Sequence, residues 1–181
     1  LPFTESSKVA TLDEPATFLI EDSLPKLDGA TALYPIYAAF VQAVYPEKIY
    51  DPYMSEVMAN RTGQAYENLI HGEVDMIFAL APSDEQLALA QQAGVELELT
   101  PIAKEAFVFF VHEKNKVRDL SVEQLKGIYS GHIKNWKEVG GKNHHIRAFQ
   151  REKNSGSQTA LERFMGDIPI MDPPVEDIAS L

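Results

Sequence analysis

Small hydroxyl and glycine residues stand three times where an extended stretch passes into a helix: Gly29-Ala30-Thr31, Thr62-Gly63 and Ser155-Gly156-Ser157. A helix start presents backbone N–H donors at the positive end of the macrodipole, glycine lets a ligand approach the backbone, and Ser or Thr adds a hydroxyl donor. Three converging starts would hold an oxyanion. Taken singly, each hydroxyl more often serves as the N-cap of its own helix.

A basic side chain precedes the third of these segments. Arg151 stands four residues before Ser155. Its planar guanidinium would offer a permanently charged pair of donors to an anion at the following helix start. The alternative is an exposed arginine paired with Glu152 or Glu162. The residues alone leave both interpretations open.

Other chemistries lack the residues they need. The chain has no cysteine, which excludes disulfides, thiolate metal sites and cysteine nucleophiles. The adjacent His144 and His145 have no carboxylate at ligand spacing, so neither a metal nor another cofactor is expected. Gly141-Lys142 lacks the rest of a P-loop, and no G-x-S-x-G elbow surrounds a serine nucleophile. The chain is therefore not expected to be an enzyme.

Apolar periodicity predicts the elements that must position the three segments. Helices are predicted from Leu33 to Pro46, before Gly72 and over Ala160 to Met165, and capping boxes at Ser83 and Ser121 predict two more helix starts. Extended stretches are predicted at 17–20, 49–54, 74–80, 95–99, 106–111 and 146–149. This alternation predicts an α/β fold with mostly parallel sheets, in which the apolar run 106–111 is a central strand.

Composition and charge limit the partners. The chain has 181 residues, of which 45% are hydrophobic and 24% charged, typical of a soluble globular protein. A net charge of -11 opposes sequence-independent contact with nucleic acid or anionic lipid. The first residues lack the basic and apolar regions of a signal peptide, so any export signal is expected to have been removed.

The domain organisation follows from a break in the pattern between about Thr100 and Ala106. We expect an N-terminal extension at 1–28, a first lobe at 29–103 and a second lobe at 104–181. Residues 175–181, after Pro173-Pro174, have the character of a connection. We therefore expect the chain to be C-terminally truncated and its first lobe to be incomplete.

Four stretches together resemble a known family, the PstS-type phosphate-binding receptors of ABC importers, with the two-lobed type II periplasmic binding protein fold. The first two stretches are Asp28-Gly29-Ala30-Thr31-Ala32-Leu33-Tyr34-Pro35-Ile36-Tyr37 and Gly72-Glu73-Val74-Asp75. The other two run from Ile128 to Trp136, with Val139-Gly140-Gly141, and from Phe149 to Ser157. They occur in the family's order over about residues 27 to 166.

The resemblance implies a set of ligand-binding residues. Thr31, with the backbone of Ala30 and Ala32, matches the first phosphate loop, and Thr62 matches the second. The third loop is matched by Arg151, Ser155, Gly156 and Ser157. The family usually places an aspartate after the third strand to accept the proton of hydrogen phosphate. Here the corresponding stretch, Phe78-Ala79-Leu80-Ala81-Pro82, has none. Asp84 could reach in from a shifted loop, but its place in the Ser83 capping box favours an interaction with the helix dipole instead.

The resemblance also implies a function. The expected protein is a monomeric extracytoplasmic receptor, membrane-anchored through a part outside this chain, that captures phosphate or a related oxyanion for ABC transporter permease subunits. The alternatives are an oxyanion-responsive sensor or an adhesion module. Because the net charge repels an anion, capture would depend on short-range N–H and O–H donors.

Overall fold

The computed structural model describes residues 1–174. The chain forms two compact units. The first holds Leu1–Thr100 together with Asn154–Gly156, and the second holds Pro101–Lys153 and the chain from Ser157 onward. The expected lobe bounds at 29–103 and 104–181 stay a prediction, and the expected connection at 175–181 lies outside the described residues.

The first unit is built from two short strands and three helices. Strand β1 is Leu27–Gly29, helix α1 is Tyr34–Val44, helix α2 is Arg61–Ile70, strand β2 is Met76–Phe78 and helix α3 is Asp84–Gln92. A 3₁₀ turn, Thr31–Leu33, leads into α1. The predicted helix from Leu33 and the predicted helix before Gly72 are both confirmed. The Ser83 capping box is also confirmed, because the Ser83 hydroxyl accepts from the backbone of Gln86 while the Gln86 side chain binds the Ser83 N–H.

The sheet of the first unit pairs β1 with β2 in parallel, with Leu27 opposite Met76 and Gly29 opposite Phe78. Glycine is needed at the end of β1, because a Cβ there would overlap the carbonyl oxygen of Phe78. A further parallel bridge joins Leu27 to Val57. Parallel strands connected through helices confirm the α/β class in part.

One face of α1 supplies the core of this unit. Tyr37 and Val41 are fully buried beside Leu27, Tyr50 and Val57. The helical spacing predicts burial of this face. Ile36 and Phe40 belong to the same predicted stripe but are exposed. The residues before 29, expected to be an extension, add Phe3, Ile20 and Leu24 to the same core.

Several predicted strands are wrong. Among residues 1–174 only β1 and β2 are strands, so the stretches 17–20, 95–99, 106–111 and 146–149 are not strands. The run 106–111 is not a covered central strand either, because Val108 and Phe110 are exposed. Apolarity alone does not make a strand, because a strand exists only where a neighbouring chain accepts its backbone hydrogen bonds.

The second unit is helical. Helix α4 is Val122–Tyr129, a 3₁₀ turn follows at Trp136–Val139, and helix α5 runs from Gly156 to Met165. The capping box predicted at Ser121 is confirmed. Ile128 of α4 packs with Ile146 and Ala148, and a separate aromatic group joins Phe164 of α5 to Phe107 and Phe109. No helix within 1–174 combines the length and apolar character needed to cross a bilayer.

Candidate functional site

The start of α2 has an unusual backbone. Arg61 adopts a left-handed conformation with φ of 69°, directly before Thr62 and Gly63. Asn60 is the N-cap, yet its side chain makes no capping bond to the helix. The first N–H groups of α2 are therefore not capped by a side chain from their own N-cap residue. Thr62 is buried, with 7% of its surface exposed.

The start of α5 repeats the same arrangement. Asn154 is left-handed with φ of 63°, and Ser155 and Gly156 follow it as Thr62 and Gly63 follow Arg61. Successive N–H groups in such a turn form a concave nest that binds anions. Left-handed residues other than glycine cost free energy and cluster at binding sites. Two matching starts of this kind favour an anion as the ligand.

These two helix starts face each other within the first unit. A side-chain carbon on Gly156 would lie 3.3 Å from Oγ1 of Thr62, and one on Gly63 would lie 3.9 Å from the carbonyl oxygen of Asn154. Each glycine thus stands opposite a polar group of the other segment and lets the two backbones approach. The structure therefore brings together Thr62 and Gly156, two of the residues predicted as ligands.

Helix α3 holds Asn154 in place. The Ser83 hydroxyl donates to Oδ1 of Asn154 at 2.9 Å, and Nδ2 of Asn154 donates to Oε2 of Glu85 at 2.8 Å. Nε2 of Gln86 lies 3.5 Å from the Asn154 carbonyl oxygen. These three bonds join the capping box of α3 to the residue before Ser155. Asn154 is thereby held in place within the first unit.

The two capping boxes offer a matched test of this connection. Ser121→Ala, which removes only an N-cap, is expected to lower the free energy of unfolding by about 1 kcal/mol. Ser83→Ala is expected to cost about 1 kcal/mol more, because it also breaks the bond to Asn154. Urea unfolding of both variants measures the difference. Equal losses would show that the Ser83–Asn154 bond adds nothing to stability.

In the first predicted loop, the backbone N–H of the first residue already has a partner within the protein. The Ala30 N–H donates to the carbonyl oxygen of Phe78 at 2.9 Å and is therefore occupied. Thr31 and Ala32 lie in the 3₁₀ turn and are exposed. The role predicted for the Ala30 backbone does not agree with this bond. Thr31 and Ala32 stay predicted ligands.

Arg151 and Ser157 lie in the second unit. Nη2 of Arg151 is 3.4 Å from Oε1 of Glu152, with about a third of each side chain exposed (29% and 33%). The Arg151 backbone N–H donates to Oε1 of Gln158. Pairing with Glu152 is one of the two interpretations that the residues left open. Since a partly exposed ion pair is worth little, it does not prevent the guanidinium from turning to an anion. Ser157 is exposed.

Sequence reasoning missed Asp28 and Asn154. Asn154 has a weak signal, because asparagine tolerates the left-handed conformation better than most residues. Asp28 is the middle residue of strand β1, and it is fully buried. Burial, and secondarily the charge of Asp28, raises the pKa of the Tyr37 hydroxyl. That hydroxyl therefore stays protonated and donates to the carbonyl oxygen of Met58 at 2.7 Å.

The stretch that lacks the family's aspartate reaches the start of α5. Leu80 packs against the segment, with Cδ1 3.3 Å from the position of a side-chain carbon on Gly156. Its carbonyl oxygen accepts from the Tyr66 hydroxyl at 2.7 Å. Asp84 is exposed in the first turn of α3, where an acid interacts favourably with the helix dipole. The stretch that the resemblance pairs with the family's aspartate thus places an apolar side chain, Leu80, beside Gly156.

Several known proteins are similar to this chain. Residues 24–173 match the family model of the PBP superfamily domain. The phosphate-binding protein PstS of Bacillus subtilis (strain 168) is 26% identical over 142 residues, 78% of this chain and 45% of the relative. PstS of Staphylococcus aureus (strain USA300) is 30% identical over 121 residues, 65% of this chain and 36% of the relative. The chain thus spans less than half the length of these curated relatives.

A solved structure is also similar. It is the crystal structure, with bound phosphate, of a Clostridium perfringens protein described as a phosphate ABC transporter substrate-binding protein. The identity is 24%, the TM-score is 0.49, and the match covers 77% of this chain and 55% of that chain.

The chain belongs to the PBP superfamily domain family, whose model covers most of its length. Its curated relatives include phosphate-binding proteins named PstS, so the resemblance read from the sequence is confirmed.

Proposed function

We propose that the protein binds a tetrahedral oxyanion, and first of all inorganic phosphate. The observation that carries this proposal is the pair of facing helix starts, Thr62-Gly63 and Ser155-Gly156, each introduced by a left-handed residue. Their N–H and hydroxyl groups are donors, and donors are what a phosphate with several oxygens requires. The names of the relatives favour phosphate among the possible anions.

The negative net charge of the chain determines which interactions can bind an anion. A net charge of -11 produces a field that repels anions, so long-range attraction does not assist binding. Binding must then come from donors that are already oriented and partly withdrawn from water, where each hydrogen bond is stronger. The buried Thr62 meets this requirement. No covalent step is needed for capture and release.

The proposed role is that of an extracytoplasmic receptor that delivers the anion to the permease of an ABC transporter. The relatives are named as binding proteins, which supports capture rather than catalysis. In this proposal Thr31, Ala32, Arg151 and Ser157 add further donors, as the resemblance implies. Asp28 and Asn154 support the donors and are not proposed to touch the ligand.

Discrimination between phosphate and sulfate is expected to be weaker than in relatives that keep the aspartate. No residue from Phe78 to Pro82 has a carboxylate, and Leu80 faces Gly156 instead. A buried carboxylate would repel fully ionised sulfate while sharing the proton of hydrogen phosphate. Competition titrations at pH 5 and pH 8 measure the discrimination. Strong exclusion of sulfate at both values would show that another residue accepts the proton.

Isothermal titration calorimetry of the full-length protein with phosphate, sulfate and arsenate tests the proposal. We expect one phosphate per chain, arsenate close behind it, and no release of phosphate from a phosphate ester under the same conditions. Glycine buffer without an oxyanion is the blank. Absence of heat with all three anions, or turnover of the ester, would exclude a receptor of this kind.

A further inference from the structure

A fully buried carboxylate lies beside the N-terminal end of α2. Asp28 of β1 accepts four hydrogen bonds. Its Oδ1 accepts from the backbone N–H groups of Gly29 and Asn60, both at 2.8 Å. Its Oδ2 accepts from the side-chain amides of Asn60 at 3.0 Å and Asn68 at 2.8 Å. One carboxylate thus joins β1 to the N-cap of α2 and to the second turn beyond it.

The donors match the acceptor closely. An ionised carboxylate has about four acceptor positions and no hydrogen to donate. A buried charge without such partners is costly, whereas one with a full set of N–H donors is stable. Asparagine at position 28 would replace one carboxylate oxygen by an NH₂ group, which would face N–H donors and could accept no hydrogen bond from them. The surroundings therefore require an acid at position 28, although the proposed function gives Asp28 no contact with the ligand.

The hydrogen bonds of Asp28 hold the residue that precedes a strained one. Asn60 is held by two bonds to Asp28, and Arg61 comes next in its left-handed conformation. Strained conformations of this kind persist only when neighbouring contacts fix them. Asn68, in the second turn of the helix, donates to the same carboxylate. The orientation of the Thr62 hydroxyl and the first N–H groups of α2 depends on Arg61 keeping that conformation.

We infer that Asp28 is the positioning residue of the oxyanion site, acting through Asn60 and Arg61 on the Thr62-Gly63 helix start. The inference rests on the proposed function. For the loss of the Asp28 charge, it predicts a change in anion affinity opposite to the one that simple electrostatics predicts. Removing a negative charge beside an anion site should strengthen anion binding by Coulomb's law. Losing the position of the donors weakens it, because donors act only when correctly placed.

The test compares Asp28→Asn with Asp75→Asn in the full-length protein. Asp75 is a matched control, because its Oδ2 also accepts a backbone N–H, from Lys26 at 2.7 Å, but it is exposed and is not joined to α2 in this way. Phosphate titrations are expected to show an affinity loss of about tenfold or more for Asp28→Asn and almost none for Asp75→Asn. An affinity equal to or above that of the wild type in Asp28→Asn would overturn the inference.

A double mutant separates positioning from a general loss of stability. In the Thr62→Val background, Asp28→Asn is expected to weaken phosphate binding by only about threefold or less. The hydroxyl that Asp28 helps to place is already absent there, and only the N–H groups of α2 can still be displaced. Two full, additive losses would mean that Asp28 acts elsewhere. If Asp28→Asn does not fold, Asn68→Ala removes one donor from the same carboxylate. It should weaken binding in the same direction, and an unchanged affinity would overturn the inference.

A ligand-free measurement keeps the inference distinct from the proposed function. The N–H groups of Ala65 and Tyr66 close the first turn of α2. Their hydrogen exchange should be about tenfold faster in Asp28→Asn and unchanged in Asp75→Asn. If the wild-type protein binds no phosphate, the proposed function fails and exchange alone decides the role of Asp28. Unchanged exchange in Asp28→Asn would overturn that role.

Discussion

Arg151→Ala is expected to weaken the phosphate affinity of the full-length protein by about 2 to 5 kcal/mol, the range for removing one partner of a desolvated charge pair. The guanidinium can donate two parallel hydrogen bonds to one phosphate. Its ion pair with Glu152 is partly exposed, so giving up that contact costs little. Arg151→Lys should restore only part of the affinity, because an ammonium cannot donate in the same planar pair.

Arg118→Ala is the matched control for this change. Arg118 is exposed, and its Nη2 lies 3.4 Å from the carbonyl oxygen of Glu113. Both variants remove one positive charge from the same unit, so they change the net charge equally. Calorimetric titration at fixed ionic strength compares them. Equal affinities in the two variants would place Arg151 outside the binding site.

Thr62→Val is expected to weaken phosphate affinity by about 1.5 to 3 kcal/mol, the value of a hydrogen bond to a charged group. Valine keeps the branched shape in the buried space beside Gly156, so folding should be little affected. The lost hydroxyl is the only polar group of this side chain. The same titration measures the effect, and thermal unfolding checks the fold.

Thr100→Val serves as the control for the hydroxyl. Thr100 is exposed at the end of the first unit, and its replacement makes the same chemical change away from the helix starts. We expect no change in phosphate affinity for Thr100→Val. A wild-type affinity in Thr62→Val as well would show that the hydroxyl facing Gly156 does not bind the anion.

The helices could be predicted from the sequence because their signals are local. The stripe of Tyr37 and Val41 repeats at helical spacing, and the Ser83 capping box lies within four consecutive residues. The strands could not be predicted equally well. The run 106–111 is apolar enough for a central strand, but among the described residues no strand pairs with it. Pairing depends on distant residues that a local pattern does not identify.

The candidate site shows the same limit. Thr62 and Gly156 were identified from the repeated use of hydroxyl and glycine residues, which is again a local signal. The residues that hold these helix starts in place make their contacts with distant parts of the chain. Asp28 binds Asn68 across 40 positions, and Asn154 binds Ser83 across 71. A buried acid and a left-handed asparagine are visible only once the fold brings these residues together.

The most direct test of the central claim is an NMR titration of the ¹⁵N-labelled full-length protein with phosphate. If the facing helix starts hold the anion, the amide signals of Thr62, Gly63, Ser155 and Gly156 will shift together and saturate with one dissociation constant. The amide of Ala30, already bonded to Phe78, should move least among the predicted loop residues. Shifts confined to other parts of the chain, or no saturable shift at these four amides, would contradict the account.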